Sequence, residues 1–240
     1  IVDSIIQGGT NDIVDLTVRT TLDRNAQIAG DKAVRRHAAA IQSETGRRAL
    51  IQGAMVAIDP RNGDIRAMSG GRSYERGAFN RALLAHRQPG SAFKPFVYAT
   101  AFNSSLTGVP LPGQQGVFTA LTMLNDDNTT FSFDNGAQQY ALHNFKGEQM
   151  GMITARTALM LSQNVATVAL GQMVGFDNIV TLAHAAGIVS AQPTPSVAIG
   201  TYTASPLELA SAYTIFANNG IKIDPKGWIK LRSEFALTDN

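Results

Sequence analysis

The sequence predicts an α+β domain, on three observations. An apolar stretch at 53–59 and its return at 64–68 flank the turn Pro60-Arg61-Asn62-Gly63, which reads as a β-hairpin opening a sheet. Apolar residues recur at helical spacing through 24–45 and in several segments after Gly90. At 240 residues, with 44% hydrophobic and 16% charged, the chain suffices for one large globular domain or a domain with an appendage.

Taken in order, Gly8-Gly9-Thr10-Asn11-Asp12 is a turn signal, and the alternation of Val14, Leu16 and Val18 predicts a strand. A helix follows over 24–45, with Ala26, Ile28, Ala29, Ala33, Val34 and Ala38 as its apolar positions and Gly46 as its C-cap. After the hairpin, a helix is expected from Ser91 to about Asn103. Pro95 fits there only in the first turn, although Lys94, the residue before it, is biased away from helical geometry. Residues 104–151 are rich in Gly, Asn, Asp, Ser and Thr and read as a loop-dominated insertion. Helices are expected over 153–161 and 165–174, interrupted by Ser162-Gln163-Asn164, and over 178–186, ended by Gly187. Ser205-Pro206-Leu207-Glu208 is a capping box with Pro at the first helical position, and Asn218-Asn219-Gly220 stops the helix it starts. The tail from Ile221 has the composition to begin a strand.

A net charge of +2, from 20 basic and 18 acidic residues with no basic stripe, gives no electrostatic case for nucleic acid. The absence of cysteine excludes disulfides, thiolate metal sites and a cysteine nucleophile. His37, His86, His143 and His184 lack a zinc spacing, so no metal or cofactor is expected. The chain starts at Ile1, with no signal peptide and no apolar run long enough to span a bilayer. It is therefore expected to be a processed or an excised piece, with any anchor cut away.

The chemistry-bearing segment is Arg87-Gln88-Pro89-Gly90-Ser91-Ala92-Phe93-Lys94-Pro95-Phe96. On a helix, a serine and a lysine three residues apart share a face, with about 5–6 Å between Cβ atoms. A neutral amine there can take the hydroxyl proton and make the serine a nucleophile. Ser91 has a bland reading as a helix cap, and Lys94 as a solvated surface cation.

Together, Ser91-x-x-Lys94 and Ser162-x-Asn164 resemble the first two motifs of penicillin-binding proteins and serine β-lactamases. The third, Lys-Thr-Gly, does not occur in the 240 residues. Further stretches are similar to the class A, bifunctional branch: Val18-Arg19-Thr20-Thr21-Leu22-Asp23, Gly53-Ala54-Met55-Val56-Ala57-Ile58-Asp59-Pro60, Phe79-Asn80-Arg81-Ala82, Ser205-Pro206-Leu207-Glu208-Leu209-Ala210 and Phe216-Ala217-Asn218-Asn219-Gly220. The ordered series runs from about residue 14 to 223 and is far more specific than any one motif.

The resemblance implies a five-stranded antiparallel sheet covered by helices, with an α-helical lobe across the active site. It implies a strand and helix at 1–52 leading into a transpeptidase domain at 53–240 that is incomplete at its C-terminus. It implies Ser91 as nucleophile, its N–H as one oxyanion donor, Lys94 as general base, Ser162 as proton relay, and Asn164 as a holder of Lys94 and of the substrate peptide. Lys94 would need its pKa lowered by burial and by nearby dipoles or positive charge. The expected partners are peptidoglycan stem peptides and β-lactams, and the expected location is the periplasm or the outer face of the bacterial membrane. Without the third motif the chain as given is expected to be impaired, since losing one oxyanion donor costs on the order of 10²–10³ in rate. The rival readings are a non-catalytic binding or scaffold fragment of the same fold, and a β-lactamase. The β-lactamase reading lacks a Glu-x-x-x-Asn after Ser162-x-Asn164. Glu208 belongs to the capping box and Glu148 has no assigned role; Trp228, Tyr140 and Phe145 read as packing residues, and Met150, Met152, Met160 and Met173 as core filling.

Overall fold

The structure is a computed structural model that describes residues 13–73, 78–133, 138–144 and 147–235. The turn expected at 8–12 and Phe145 lie outside them. The chain is α+β, and every strand pairing between its named strands is antiparallel. It divides into two compact units, Ile1–Ala82 with Thr214–Asn240, and Leu83–Tyr213.

In the first unit, β1 (Ile13–Thr20) leads into α1 (Arg24–Thr45). Asp23 caps α1, its carboxylate accepting from the N–H groups of Asn25 and Ala26, which holds its pKa below the usual carboxylate value. Gly46 ends the helix at φ 59°. The buried face of α1 is Gly30, Val34 and Ala38, one residue per turn; Ile28, expected among the apolar positions, is exposed. A Cβ at Gly30 would lie 2.0 Å from Met55 Cε, so a larger residue there would make the methionine's flexible end shift. The hairpin forms as expected, from β2 (Met55–Ile58) and β3 (Ile65–Ser69). Gln27 of α1 completes the edge of β3, donating to Met68 O at 2.9 Å and accepting from Met68 N at 2.8 Å. The tail strand, β8 (Trp228–Phe235), starts later than Ile221 and pairs with β1. Among the described residues, strands pair two by two rather than in one five-stranded sheet.

A short turn of helix, α2 (Arg81–Leu84), precedes the second unit's central element. That element is a 3₁₀ turn, Gly90–Phe93, running into α3 (Lys94–Ser105). The expected helix thus starts one turn late. Pro95 sits in the first α turn, where its missing N–H has no partner to lose, and Lys94 adopts helical φ −52° and ψ −39°. Helix α3 is buried along most of its length: Phe96, Val97 and Ala101 are fully enclosed, and Phe96 meets Phe93 and Tyr213 ring to ring at 5.3 and 5.7 Å.

Residues 104–151 contain more structure than expected: β4 (Met123–Asn125), β5 (Thr129–Phe133) and β6 (Gln138–Leu142). These strands are short and rich in polar residues, so the two-residue apolar period is hard to see. Strand β4 pairs with β7 (Met152–Thr154), turning Leu124 and Ile153 inward and leaving Met123 and Met152 exposed. Then come α4 (Ala155–Met160), α5 (Asn164–Val174), α6 (Phe176–Ala186) and α7 (Pro206–Ala217). The capping box of α7 closes in both directions, Ser205 N–H to Glu208 Oε2 at 2.7 Å and Glu208 N–H to Ser205 Oγ at 3.2 Å. Met150, Met152 and Met160, expected as core filling, are exposed; Met160 is at the solvent end of a helix only six residues long.

Candidate active site

The turn carrying Ser91 is held by backbone on one side and a phenol on the other. Arg87 and Ala204 exchange two hydrogen bonds, and Gly90 N–H donates to Gly200 O at 3.1 Å. Gly200 adopts φ +72°, and a Cβ on it would come within 2.2 Å of Gly90 O, so only glycine lets this loop lie against the turn. Tyr213 Oη donates to Ala92 O at 2.5 Å. Ser91 is exposed, and among the described residues its Oγ makes no hydrogen bond and its N–H donates to no backbone carbonyl.

Lys94 is 1% exposed. Its Nζ lies 2.5 Å from Ser162 O, 3.2 Å from Ser162 Oγ and 2.8 Å from Asn164 Oδ1. The structure therefore brings Lys94, Ser162 and Asn164 together directly. Ser91 stands one helical turn before Lys94, and Nζ makes its hydrogen bonds to the bend rather than to Ser91 Oγ. An ammonium has three N–H donors, and three acceptors surround this one. Loss of one proton leaves two donors for Ser162 O and Asn164 Oδ1, and a lone pair able to accept from a hydroxyl. Burial lowers the Lys94 pKa to about 8, against the opposing attraction of Asp126. Of the causes expected, burial produces the shift, while the neighbouring charge is negative rather than positive and opposes it.

The bend is built by the end of α4. Gln163 N–H donates to Ala158 O and Ser162 N–H to Leu159 O, the pairing of a Schellman motif. Its left-handed position is normally glycine, yet here Ser162 occupies it at φ 58°. This conformation aims the Ser162 carbonyl and hydroxyl at the same amine. Ser162→Gly is expected to leave stability unchanged or raise it by up to about 1 kcal/mol, the left-handed strain relieved less the added freedom of the unfolded chain. Thermal unfolding of the variant beside wild type checks this.

Two residues not singled out from sequence stand behind the bend. Helix α5 has Gln163 at its N-cap with no side-chain cap bond. Asn144 Oδ1 accepts from Asn164 N–H at 2.8 Å and Val165 N–H at 3.2 Å, and Asp126 Oδ1 accepts from Ala166 N–H at 3.2 Å. The acid whose charge acts on Lys94 is Asp126, fully buried.

Residues 53–230 match the family described as Transpeptidase, the penicillin binding protein transpeptidase domain. The chain belongs to this family. Penicillin-binding protein 2D of Bacillus subtilis is 33% identical over 212 residues, covering 88% of this chain and 28% of that protein. Penicillin-binding protein 1A of Aquifex aeolicus is 33% identical over 175 residues, covering 73% of this chain and 22% of its own length. The chain thus spans about a quarter of the length of these penicillin-binding relatives. Among solved structures, the penicillin-binding protein PonA1 from Mycobacterium tuberculosis superposes with TM-score 0.72 at 25% identity, over 96% of this chain and 56% of that one. Penicillin-Binding Protein 1A from Haemophilus influenzae does so with TM-score 0.66 at 29% identity, over 76% and 26%.

Proposed function

We propose that the intact protein is a peptidoglycan D,D-transpeptidase, working outside the cytoplasm through an acyl-enzyme on Ser91 and acylated there by β-lactams. The observation that carries this reading is a lysine amine enclosed in protein, with its pKa lowered to about 8, one helical turn from an exposed, unbonded serine hydroxyl. PonA1, similar in fold at 25% identity, has been solved in complex with penicillin V, which supports the β-lactam part.

Ser91 Oγ attacks the carbonyl carbon between the two terminal D-alanines of a stem peptide, and its proton passes to neutral Lys94 Nζ. The Ser91 N–H is available to the oxyanion as one donor. As the tetrahedral intermediate collapses, the C–N bond breaks, and the proton travels through Ser162 Oγ to the leaving amine. The terminal D-alanine departs, leaving the ester on Ser91. An amine of a neighbouring stem peptide then attacks that ester and gives up its proton along the same route. The crosslink forms and the serine hydroxyl is restored. Asn164 holds Nζ through Oδ1, while its Nδ2, bonded among the described residues to His143 O at 3.4 Å, faces the substrate's peptide group.

A labelled penicillin incubated with the intact protein is expected to stay bound for many minutes on the peptide containing Ser91. Release within seconds would indicate a β-lactamase, and label on no serine would reject the acyl-enzyme.

A further inference from the structure

We propose that Asp126 and Asn144 are positioning residues: a buried pair that fixes the first turn of α5 and so holds Ser162 and Asn164 at the distance from Lys94 that proton transfer requires. The inference rests on the transpeptidase reading and deepens it, because neither residue touches the nucleophile.

Helix α5 has no side-chain cap of its own. The first N–H groups of an α-helix have no intrahelical acceptor. In α5 the first three, on Asn164, Val165 and Ala166, are all taken by side chains distant in sequence, two by Asn144 and one by Asp126. These acceptors are themselves fixed. Asn144 Nδ2 donates to Asp126 Oδ2 at 2.9 Å and to Glu148 O at 3.0 Å, and Asp126 N–H donates to Gly151 O at 2.9 Å. Asp126 is 0% exposed and Asn144 5%, so water does not substitute freely for either. The carbonyl side of the bend is held as well: Thr167 Oγ1 donates to Gln163 O at 2.6 Å and also meets Tyr98 Oη at 3.2 Å. The three atoms that Ser162 and Asn164 present to Nζ are therefore set by groups outside the bend as well as by the Schellman bonds at the end of α4.

Asp126 has a second effect that a packing residue would lack. Its charge attracts the Lys94 ammonium and opposes the effect of burial. It also adds to the elevation of the Tyr98 pKa, which burial pushes up to about 12. No ionisable side chain lies on α5 itself. On the elements packed against it the others are Tyr98 on α3, Arg156 on α4, and Asp177 and His184 on α6, with Asp127, His143 and Glu148 on the segments that carry Asp126 and Asn144. Of these groups, Asp126 alone contributes to the Lys94 shift.

The test measures the acylation rate of the intact protein by penicillin across pH, for wild type, Asp126→Asn and Asn144→Ala, beside thermal unfolding of each. Asn144→Ala strips the acceptors from two N–H groups of the bend; acylation is expected to fall by about 10²-fold, the scale for small misplacement of reacting groups, with the label still reaching Ser91. Asp126→Asn removes the charge, and turns one of the two acceptors that Ala166 N–H and Asn144 Nδ2 now use into a donor, so the pH midpoint of acylation moves to more acid values than in wild type. Folded variants that acylate at the wild-type rate with an unmoved midpoint would overturn the proposal. A lowered melting temperature with both readouts unchanged would overturn it too, by reducing the pair to a structural role. If Asp126→Asn fails to fold, Asn144→Ala and the milder Asn144→Ser decide. Wild type that takes no label at Ser91 would instead refute the transpeptidase reading beneath.

Discussion

Replacing Ser91 by alanine is expected to abolish covalent labelling of the intact protein by penicillin, with stability changed by no more than about 0.5 kcal/mol. The small stability effect follows from position. Ser91 is exposed and, among the described residues, its Oγ bonds nothing, while the turn around it is held by Gly200, Ala204 and Tyr213 through backbone atoms that the substitution spares. The complete loss of label follows from chemistry, since alanine has no atom to form the ester. Peptide mapping distinguishes this from slow labelling elsewhere: an adduct on Ser162, the other serine of the site, would remove Ser91 from its role.

The second large effect belongs to Lys94. Lys94→Ala is expected to slow acylation by about 10²–10⁴-fold, the range for loss of a general base, while leaving noncovalent affinity for a stem-peptide analogue nearly unchanged. Arginine should be no better, because a guanidinium keeps its proton at any workable pH and cannot accept another. Some stability should also be lost with alanine, because Ser162 O and Asn164 Oδ1 lose the donor that now lies at 2.5 and 2.8 Å. A labelling rate equal to wild type in a folded Lys94→Ala protein would take the amine out of the mechanism.

What could be read from the chain was what is written locally. The limits of α1, the hairpin around Gly63 and the capping box of Ser205 and Glu208 all depend on residues within a few positions of one another, and all formed as expected. The residue types and spacing at Ser91, Lys94, Ser162 and Asn164 were legible for the same reason. Two kinds of feature were not. Strands β4 to β6 are three to five residues long, and their polar composition hides the alternation. The placement of Asp126 and Asn144 depends on tertiary contact, since each reaches α5 from an earlier segment of chain and neither sits in a recognisable motif. The lysine's environment lay between these cases. Its spacing implied a shared face with Ser91, but only the fold shows that its bonds go to the bend, and that burial lowers its pKa against a nearby carboxylate.

The account depends on the neutral form of one amine. A base whose pKa is lowered carries its free lone pair only above that value, so the active form accumulates as pH rises. The deciding measurement is the rate constant for penicillin acylation of Ser91 in the intact protein, taken from about pH 6 to about pH 10. The expected curve climbs with pH, passes its midpoint near 8 and levels off. A rate that stays flat across that range, or falls as pH rises, would contradict it.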